Sequence, residues 1–267
     1  MGELWLKSTS EPGLVAAIEG NMAAFRPLHA CLPGGELHDE EDVLWYTSED
    51  PHFILNGVYR TQFTPPNADA RIEQVLASLR RRGSQAVWWV GPSSRPADLG
   101  ARLLAHGLVH HGDTVGMAME LRDLVAPSMP AGLVIRLVQD LSMLRRYLDV
   151  FDLPNGVEQA FHDLYVDLAL EGDLPWYRLV GLLHGKPVAI SEVYLGAGVA
   201  GVYGVTTVER ARRRGIGSAV TAAAYLAARD RGCRVGVVIG AEMGVGVYRR
   251  LGFRPYCHLT HYLWTSG

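Results

Sequence analysis

The stretch from Val205 to Val220 constrains this chain more than any other, because a strand-like run there passes through an arginine-rich turn into an alanine-rich helix. The arginines Arg212–Arg214 are followed by Gly215 and Gly217. Glycines let a backbone approach an anion closely, and the unpaired N–H groups and dipole of a first helical turn favour negative charge. The pattern is therefore typical of a pyrophosphate site, although a helix start beside a solvated basic turn has the same residues.

The residues around this stretch predict one parallel pair of strands. The apolar run Cys233–Gly240 is typical of a buried parallel strand. A strand over Ala200–Thr206 would pair with Val235–Ile239, and a right-handed crossover helix over Gly215–Arg231 would join them. A short helix follows, closed by Gly252 at its C′ position.

Two short signatures in this region resemble those of the GNAT acyltransferase superfamily. Its phosphate signature, Arg/Gln-x-x-Gly-x-Gly/Ala, is matched by Arg212, Gly215 and Gly217. Its second signature, a helix end with Tyr-x-x-Leu-Gly-Phe, is matched from Tyr248 to Phe253. The two occur in the family's order and spacing, and the resemblance covers about residues 176–264.

The resemblance implies an α+β fold whose mixed sheet is mostly antiparallel, with one parallel strand pair and flanking helices. In such proteins the parallel strands splay apart, and the pantetheine arm of coenzyme A lies between them. Backbone amides at the end of the first strand would orient the thioester, and the basic turn would hold the pyrophosphate. We therefore expect acetyl-CoA as co-substrate, held by Val205, Thr206, Thr207, Arg212, Arg213, Arg214, Gly215, Ile216, Gly217 and Ser218.

The same resemblance makes Tyr248 the general acid that protonates the departing thiolate. An unperturbed phenol has a pKa near 10 and stays protonated at neutral pH. The general base is less defined, because Ala200–Thr206 carries no carboxylate. Glu192 on the preceding strand is the candidate, with Tyr203 and His184 as further possibilities, while attack by a neutral amine or through a water relay needs no base.

The chain also divides into two halves that resemble each other. We expect a degenerate GNAT-like domain over residues 1–125, a proline- and glycine-punctuated linker over 126–132, and a catalytic GNAT domain over 133–267. The turn and strand after Gly83 match those after Gly232, which lies 149 positions later. The first half has Pro65 and Pro66 where the phosphate turn should be, and Leu103 where the second half has Tyr248. We therefore expect the first half to bind no carrier.

Composition narrows the class of protein further. The net charge of −3 and the local character of the arginine cluster argue against nucleic acid as a partner. Three cysteines and the lack of a long apolar run predict a cytoplasmic protein without membrane contact. We expect a monomer or a homodimer. We expect no metal, because Cys257 and His261 would share one strand face while His258 points to the other.

The predicted function is an acetyl-CoA-dependent N-acetyltransferase acting on a small amine. Residues 151–173 carry six carboxylates and no Lys or Arg, which favours a cationic acceptor, although a solvated helix face has the same composition. The alternative is a non-catalytic coenzyme A-binding or interaction protein. A dinucleotide oxidoreductase fits least, because Glu209–Arg214 intervenes before the first glycine and no acid closes the next strand.

Overall fold

The computed structural model describes residues 5–32, 34–151, 162, 166 and 174–265. The acidic run over residues 151–173 lies outside the described residues apart from 151, 162 and 166. Six helices can be bounded in that part of the chain: α1 Leu14–Phe25, α2 Ala68–Arg82, α3 Leu99–Ala105, α4 Leu141–Leu148, α5 Ile216–Arg229 and α6 Glu242–Arg250.

Strands alternate with these helices along the chain, so the fold is mixed α/β, as predicted. The strands are β1 Glu36–Asp39, β2 Leu44–Thr47, β3 Gly57–Tyr59, β4 Ala86–Val90, β5 Val109–Glu120, β6 Leu133–Leu137, β7 Trp176–Leu183, β8 Lys186–Gly196, β9 Val199–Thr207, β10 Val235–Ala241 and β11 Arg254–Trp264.

Two compact units can be distinguished. The α5 unit comprises Met1–Asn21 and Gly116–Tyr256, and the α2 unit comprises Met22–Val115 and Cys257–Gly267. Each unit thus combines a long segment from one half of the chain with a short segment from the opposite end. The predicted division into domains over residues 1–125 and 133–267, with a linker over 126–132, stays a prediction.

The sheet of the α5 unit has the strand order β5-β10-β9-β8-β7-β6. Strands β6 to β9 form an antiparallel meander, and β9 pairs in parallel with β10. Helix α5 is the crossover between β9 and β10 and packs on the sheet through its small residues. Its core includes Leu133, Val188, Ala189, Ala211, Ile216, Ala219 and Val220, all buried.

Two tight turns connect the meander. His184 and Gly185 both have positive φ, 48° and 78°, and so do Ala197 and Gly198, 53° and 76°. Positive φ at both central residues is the conformation that two-residue hairpins need to match strand twist. The first turn is a two-residue loop, because Lys186 already pairs with Leu183.

The sheet of the α2 unit has the strand order β1-β2-β3-β4-β11-β5. Strand β3 pairs in parallel with β4, and α2 is the crossover between them. A buried core that includes Val58, Ile72, Leu76, Trp88 and Trp264 fixes α2 on this sheet. Strand β11 is expected from its sequence position to complete the second half, but it pairs with β4 here, from Thr260↔Val90 to Trp264↔Ala86.

The parallel pairs of the two units follow the internal repeat of the sequence. In the α2 unit, Val87 and Trp88 of β4 pair with β3. The residues 149 positions later, Gly236 and Val237 of β10, pair with β9. Gly83 and Gly232, the equivalent turn glycines, both have positive φ, 65° and 89°. No helix in the described ranges is long and apolar enough to cross a membrane.

Candidate functional site

The two parallel strands of the α5 unit are paired over a short stretch only, and the space between them beyond it is called the cleft below. Strand β9 pairs with β10 at two positions, Ala200↔Gly236 and Gly201↔Val237. The hydroxyl of Tyr225, a fully buried residue of α5, donates to the Val237 carbonyl over 2.7 Å. Tyr225 therefore lies at the vertex where the parallel ladder stops, and the rest of β9 is released from β10.

Strand β9 carries a bulge just past this vertex. Ile190 of β8 pairs with Thr206 and Glu192 pairs with Tyr203, so β9 has one residue more than β8 over this interval. Gly204 lies within the bulge at a φ of 58°, a conformation that glycine adopts without strain. The extra residue of a bulge leaves the ladder. The bulge therefore frees backbone groups of β9 next to Val205, where an oxyanion site was predicted.

The basic turn leads from the end of β9 into α5. Gly215 is the N-cap of α5 with a φ of 76°, and Arg213 also has a positive φ of 59°. The Nε of Arg212 donates to the Thr207 carbonyl over 3.0 Å, which ties this arginine to the strand end. Arg212, Arg213 and Arg214 are exposed, and none forms a salt bridge within the described part of the chain. The three charges are thus available to an anion.

The first turn of α5 is open to a ligand. A Cβ at Gly215 would meet no atom within 4 Å, and one at Gly217 would lie 3.4 Å from Oγ1 of Thr207. Thr207 therefore stands beside the first helical turn, while Ile216 is buried in the core below it and Ser218 is half-buried. The predicted carrier-binding residues, from Val205 to Ser218, thus lie on one continuous edge formed by the bulge, the turn and the helix start.

Tyr248 lies on α6 and packs against the end of β10. A Cβ at Gly240 would lie 2.9 Å from its ring, and one at Gly244 would lie 3.2 Å away. Its ring meets that of Phe253 edge-on, with centroids 6.1 Å apart. Its hydroxyl makes no hydrogen bond to the residues that the structure describes. Burial raises the pKa of Tyr248 above its ordinary value of 10.0, so the hydroxyl remains a proton donor at neutral pH.

Glu192 lies on the opposite side of the bulge. It is 3% exposed, and its Oε2 accepts from Nε1 of Trp176 over 2.9 Å and from the hydroxyl of Tyr147 over 3.3 Å. A Cβ at Gly204 would lie 2.6 Å from its Oε1. The carboxylate therefore adjoins the bulge, but its contact with bulk solvent is small, so a role as base needs a proton path along these partners.

The two further candidate bases have structural partners. The Tyr203 hydroxyl donates to Oδ1 of Asn21 over 2.7 Å. The amide nitrogen of Asn21 donates to the carbonyl of Gly196 over 2.8 Å, which fixes α1 against the β8–β9 turn. His184 lies in the β7–β8 turn, and its backbone N–H donates to the Gly132 carbonyl over 2.9 Å.

Two further observations concern groups around the site. Ala241 ends β10 as the N-cap of α6 and offers no polar side chain. No group of three or more His, Cys, Asp or Glu that could hold a metal occurs among the described residues.

The bulge and the vertex were not recognised from the sequence. A glycine inside a strand is a signal for a bulge or a close approach of backbone, and Gly204 was such a signal. Tyr225 had no sequence signal of its own. Its role follows from the position of its hydroxyl at the end of the β9–β10 pairing, and that position is visible only in the folded structure.

The family model described as FR47-like protein matches residues 179–265 of the chain. This range begins in β7 and ends with β11, so it contains the bulge, the basic turn and Tyr248. No curated protein matches the chain.

Several solved structures are similar over nearly the whole chain. A GCN5-related N-acetyltransferase from Kribbella flavida has a TM-score of 0.68 and 19% identity, covering 96% of this chain and 98% of that one. A tandem GNAT protein from the clavulanic acid biosynthesis pathway has a TM-score of 0.64 and 14% identity, covering 95% and 92%. A GCN5-related N-acetyltransferase from Sphaerobacter thermophilus has a TM-score of 0.62 and 15% identity, covering 92% and 94%. The chain thus has the fold of GCN5-related N-acetyltransferases.

Proposed function

We propose that this chain is an acetyl-CoA-dependent N-acetyltransferase whose active site lies in the α5 unit. The observation that carries the proposal is the convergence of three features on one edge. These are the cleft between β9 and β10, the bulge at Gly204, and the exposed arginines beside the start of α5. A thioester carrier with a pyrophosphate needs all three, because its arm, its carbonyl and its charge must be held together.

The residues of the chain divide the chemistry between them. Acyl transfer from a thioester to an amine forms a C–N bond and breaks a C–S bond, so the departing thiolate must gain a proton and the amine must lose one. Tyr248, with its hydroxyl unbonded within the described residues and its pKa raised by burial, is the donor in this proposal. Freed amides of the bulge stabilise the charge that develops on the carbonyl oxygen. Glu192 takes the amine proton by way of the Tyr147 hydroxyl, which passes its own proton to the carboxylate and receives the amine's in return.

The acceptor in this proposal is a small, cationic amine. The acidic composition of residues 151–173 supports it, since carboxylates attract cationic amines. The tandem organisation is part of the proposal as well. The equal offset of both parallel pairs and of the turn glycines supports a duplication, after which the first half lost its carrier site.

One observation favours a second candidate function, a coenzyme A-binding protein without catalysis. Glu192 already accepts two hydrogen bonds and is buried, as expected for a structural carboxylate. In this second function the chain binds the carrier, and Glu192 does not act as a base.

The test is calorimetric titration with acetyl-CoA, followed by detection of free thiol with a panel of amines. We expect one carrier per chain. Gly217→Asp, which adds a side chain and a negative charge beside Thr207, should abolish carrier binding while the chain stays folded. Unchanged affinity in this variant, or a second carrier in the α2 unit, would contradict the proposal. Binding without thiol release from any amine would favour the second candidate.

A further inference from the structure

The α2 unit contains a cavity of its own, of about 170 Å³. Its wall includes Arg26, Phe53, Tyr59, Trp89, His111 and His261. Side chains alternate between the two faces of a strand, and Trp88 belongs to the core under α2. The cavity, which Trp89 lines, therefore lies on the face of the sheet opposite α2.

The wall is built mainly from aromatic rings. Trp89 and His261 pair across β4 and β11, and their rings stack at 4.7 Å with 21° between their planes. The His111 ring meets those of His261 and Phe53 edge-on, each at 5.3 Å between centroids. Offset stacks and edge contacts of this kind accept a further flat ring readily. The wall thus suits a planar ligand.

The buried end of the cavity is polar and electropositive. Burial raises the pKa of Tyr59, although the charge of Arg26 and hydrogen bonds from Tyr46 and Trp89 oppose this rise. Tyr59 lines the cavity, and a phenol hydroxyl can donate a hydrogen bond to an acceptor there.

The charge of Arg26 reaches other groups around this end. Burial, followed by the Arg26 charge, lowers the pKa of His29 to about 3, so His29 remains neutral. Burial and the neighbouring His111 lower the pKa of His261, whose buried Nδ1 has no hydrogen-bond partner within the described residues. No Asp or Glu lines the cavity in the part of the chain that the structure describes. A site for a cation would need negative charge beside the aromatic rings, so this cavity favours an anionic ligand over a cationic one.

The size of the cavity restricts the ligand further. Pockets for drug-sized ligands measure about 300–1,000 Å³, so 170 Å³ admits a single ring with a small substituent. We infer that this cavity binds a small aromatic carboxylate, with its ring against Trp89 and Phe53 and its carboxylate toward Arg26 and the Tyr59 hydroxyl. None of the proposed carrier-binding residues lines it, so this site is separate from the proposed acetyltransferase site.

The test uses benzoate as the probe, with benzamide and benzylamine as matched neutral and cationic rings. Binding to the full chain is followed by NMR through the indole N–H signal of Trp89, assigned by its loss in Trp89→Phe. We expect saturable benzoate binding with a Kd at least about tenfold below that of benzamide, corresponding to about 1.4 kcal/mol. Benzylamine should bind more weakly still. Equal binding of benzoate and benzamide, or no saturable shift, overturns the inference.

Variants locate the charge that makes this selection. Arg26→Met should reduce benzoate affinity to that of benzamide, whereas Arg26→Lys should retain part of the difference. Arg81→Met is the control, because Arg81 is an exposed residue of α2 whose guanidinium contacts Ser78. Gly217→Asp should leave benzoate binding intact whatever it does to acetyl-CoA. Undiminished benzoate affinity in a folded Arg26→Met chain, or its loss in Arg81→Met, contradicts the inference.

Discussion

Single residues of the site are held in place by glycines that give them room. The Tyr248 ring fits against Gly240 and Gly244, and the Glu192 carboxylate fits against Gly204. A Cβ at Gly240 or Gly204 would come within 3.0 Å of these side chains, a distance that forces something to move. The positions of Tyr248 and Glu192 therefore depend on neighbouring residues that have no side chain.

The first prediction tests the hydroxyl of Tyr248. Tyr248→Phe keeps the ring between its two glycines and removes the proton donor, so kcat should fall by roughly 10²–10⁴-fold. The KM for acetyl-CoA should change little, because the basic turn holds the carrier. Steady-state kinetics with a thiol readout measure both constants. Because the pKa is raised, the hydroxyl should stay protonated and the wild-type rate should show no loss from Tyr248 up to about pH 10. Full activity of the variant would reduce Tyr248 to a packed aromatic.

The second prediction concerns the bulge. Gly204→Ala places a Cβ in the left-handed region, at a cost of about 1–2 kcal/mol, and also pushes on Glu192. Gly83→Ala is its control, since Gly83 has a similar φ of 65° and open space around it. Thermal unfolding should show the larger loss of Tm for Gly204→Ala, and its kcat should fall while that of Gly83→Ala stays unchanged. Equal losses of Tm would mean that Glu192 moves aside freely.

At the scale of elements, the cleft results from the short pairing between β9 and β10, which are hydrogen-bonded at only one end of the strands. The Tyr225 hydroxyl donates to Val237, and a backbone hydrogen bond from Val202 on the other strand acts on the same hydroxyl. A Cβ at Gly236 would lie 2.8 Å from the Tyr225 ring, so β10 rests directly on this side chain. One helix residue thus contacts both strands at the point where they part.

The third prediction follows from this contact. Tyr225→Phe removes the hydroxyl at the vertex, so the cleft should lose its fixed depth. Affinity for coenzyme A should fall roughly tenfold, or about 1.4 kcal/mol. Affinity for ADP, which keeps the pyrophosphate and has no pantetheine arm, should stay the same, because the basic turn is untouched. Calorimetry measures both.

Tyr46→Phe is the control for this prediction, since Tyr46 is a buried tyrosine of the α2 unit whose hydroxyl meets Nδ1 of His29. It should change neither affinity. A parallel loss of both ligands in Tyr225→Phe would assign Tyr225 to general stability and not to the cleft.

The sequence predicts those elements whose signals are local. The crossover helix was expected over Gly215–Arg231 and is found as Ile216–Arg229, because its glycine start and apolar spacing lie within one stretch. The bulge at Gly204 depends on the register with β8, and the vertex at Tyr225 depends on two strands at once. Neither is encoded in a short window, which is why the carrier-binding edge was predicted and its internal geometry was not.

On the scale of the whole molecule, the terminal segments belong to units far from them in sequence. Met1–Asn21 joins the α5 unit, where Asn21 holds the β8–β9 turn, and β11 joins the α2 unit beyond Tyr256. The pairing of β11 with β4 could not be predicted, because sequence position favours a partner in the second half. The core that contains Val58 and Trp88 therefore depends on a residue more than a hundred positions away, Trp264.

The fourth prediction uses two buried aromatic residues on either side of this junction. Trp264→Ala should destabilise the α2 unit by about 3–5 kcal/mol, the usual cost of truncating a core aromatic. Phe253→Ala, only 11 positions earlier, should act on the α5 unit instead, where its ring packs against Tyr225 at 5.0 Å. Hydrogen exchange should show lost protection in α2 and β4 for the first variant, and in α5 and β10 for the second. Loss of protection in the same elements for both variants would contradict this division.

The placement of β11 also bears on how the chain is made. Domains usually fold in order as they leave the ribosome, the amino-terminal one first. Here Met22–Val115 emerges early but waits for Cys257–Gly267, so one side of β4 stays without its partner while the intervening residues are translated. The α5 unit, whose segments end at Tyr256, can close before the α2 unit does. Chains truncated after Tyr256 and released from the ribosome should therefore protect α5 from protease while α2 is still cut, an inversion of the order in which the ribosome delivers them.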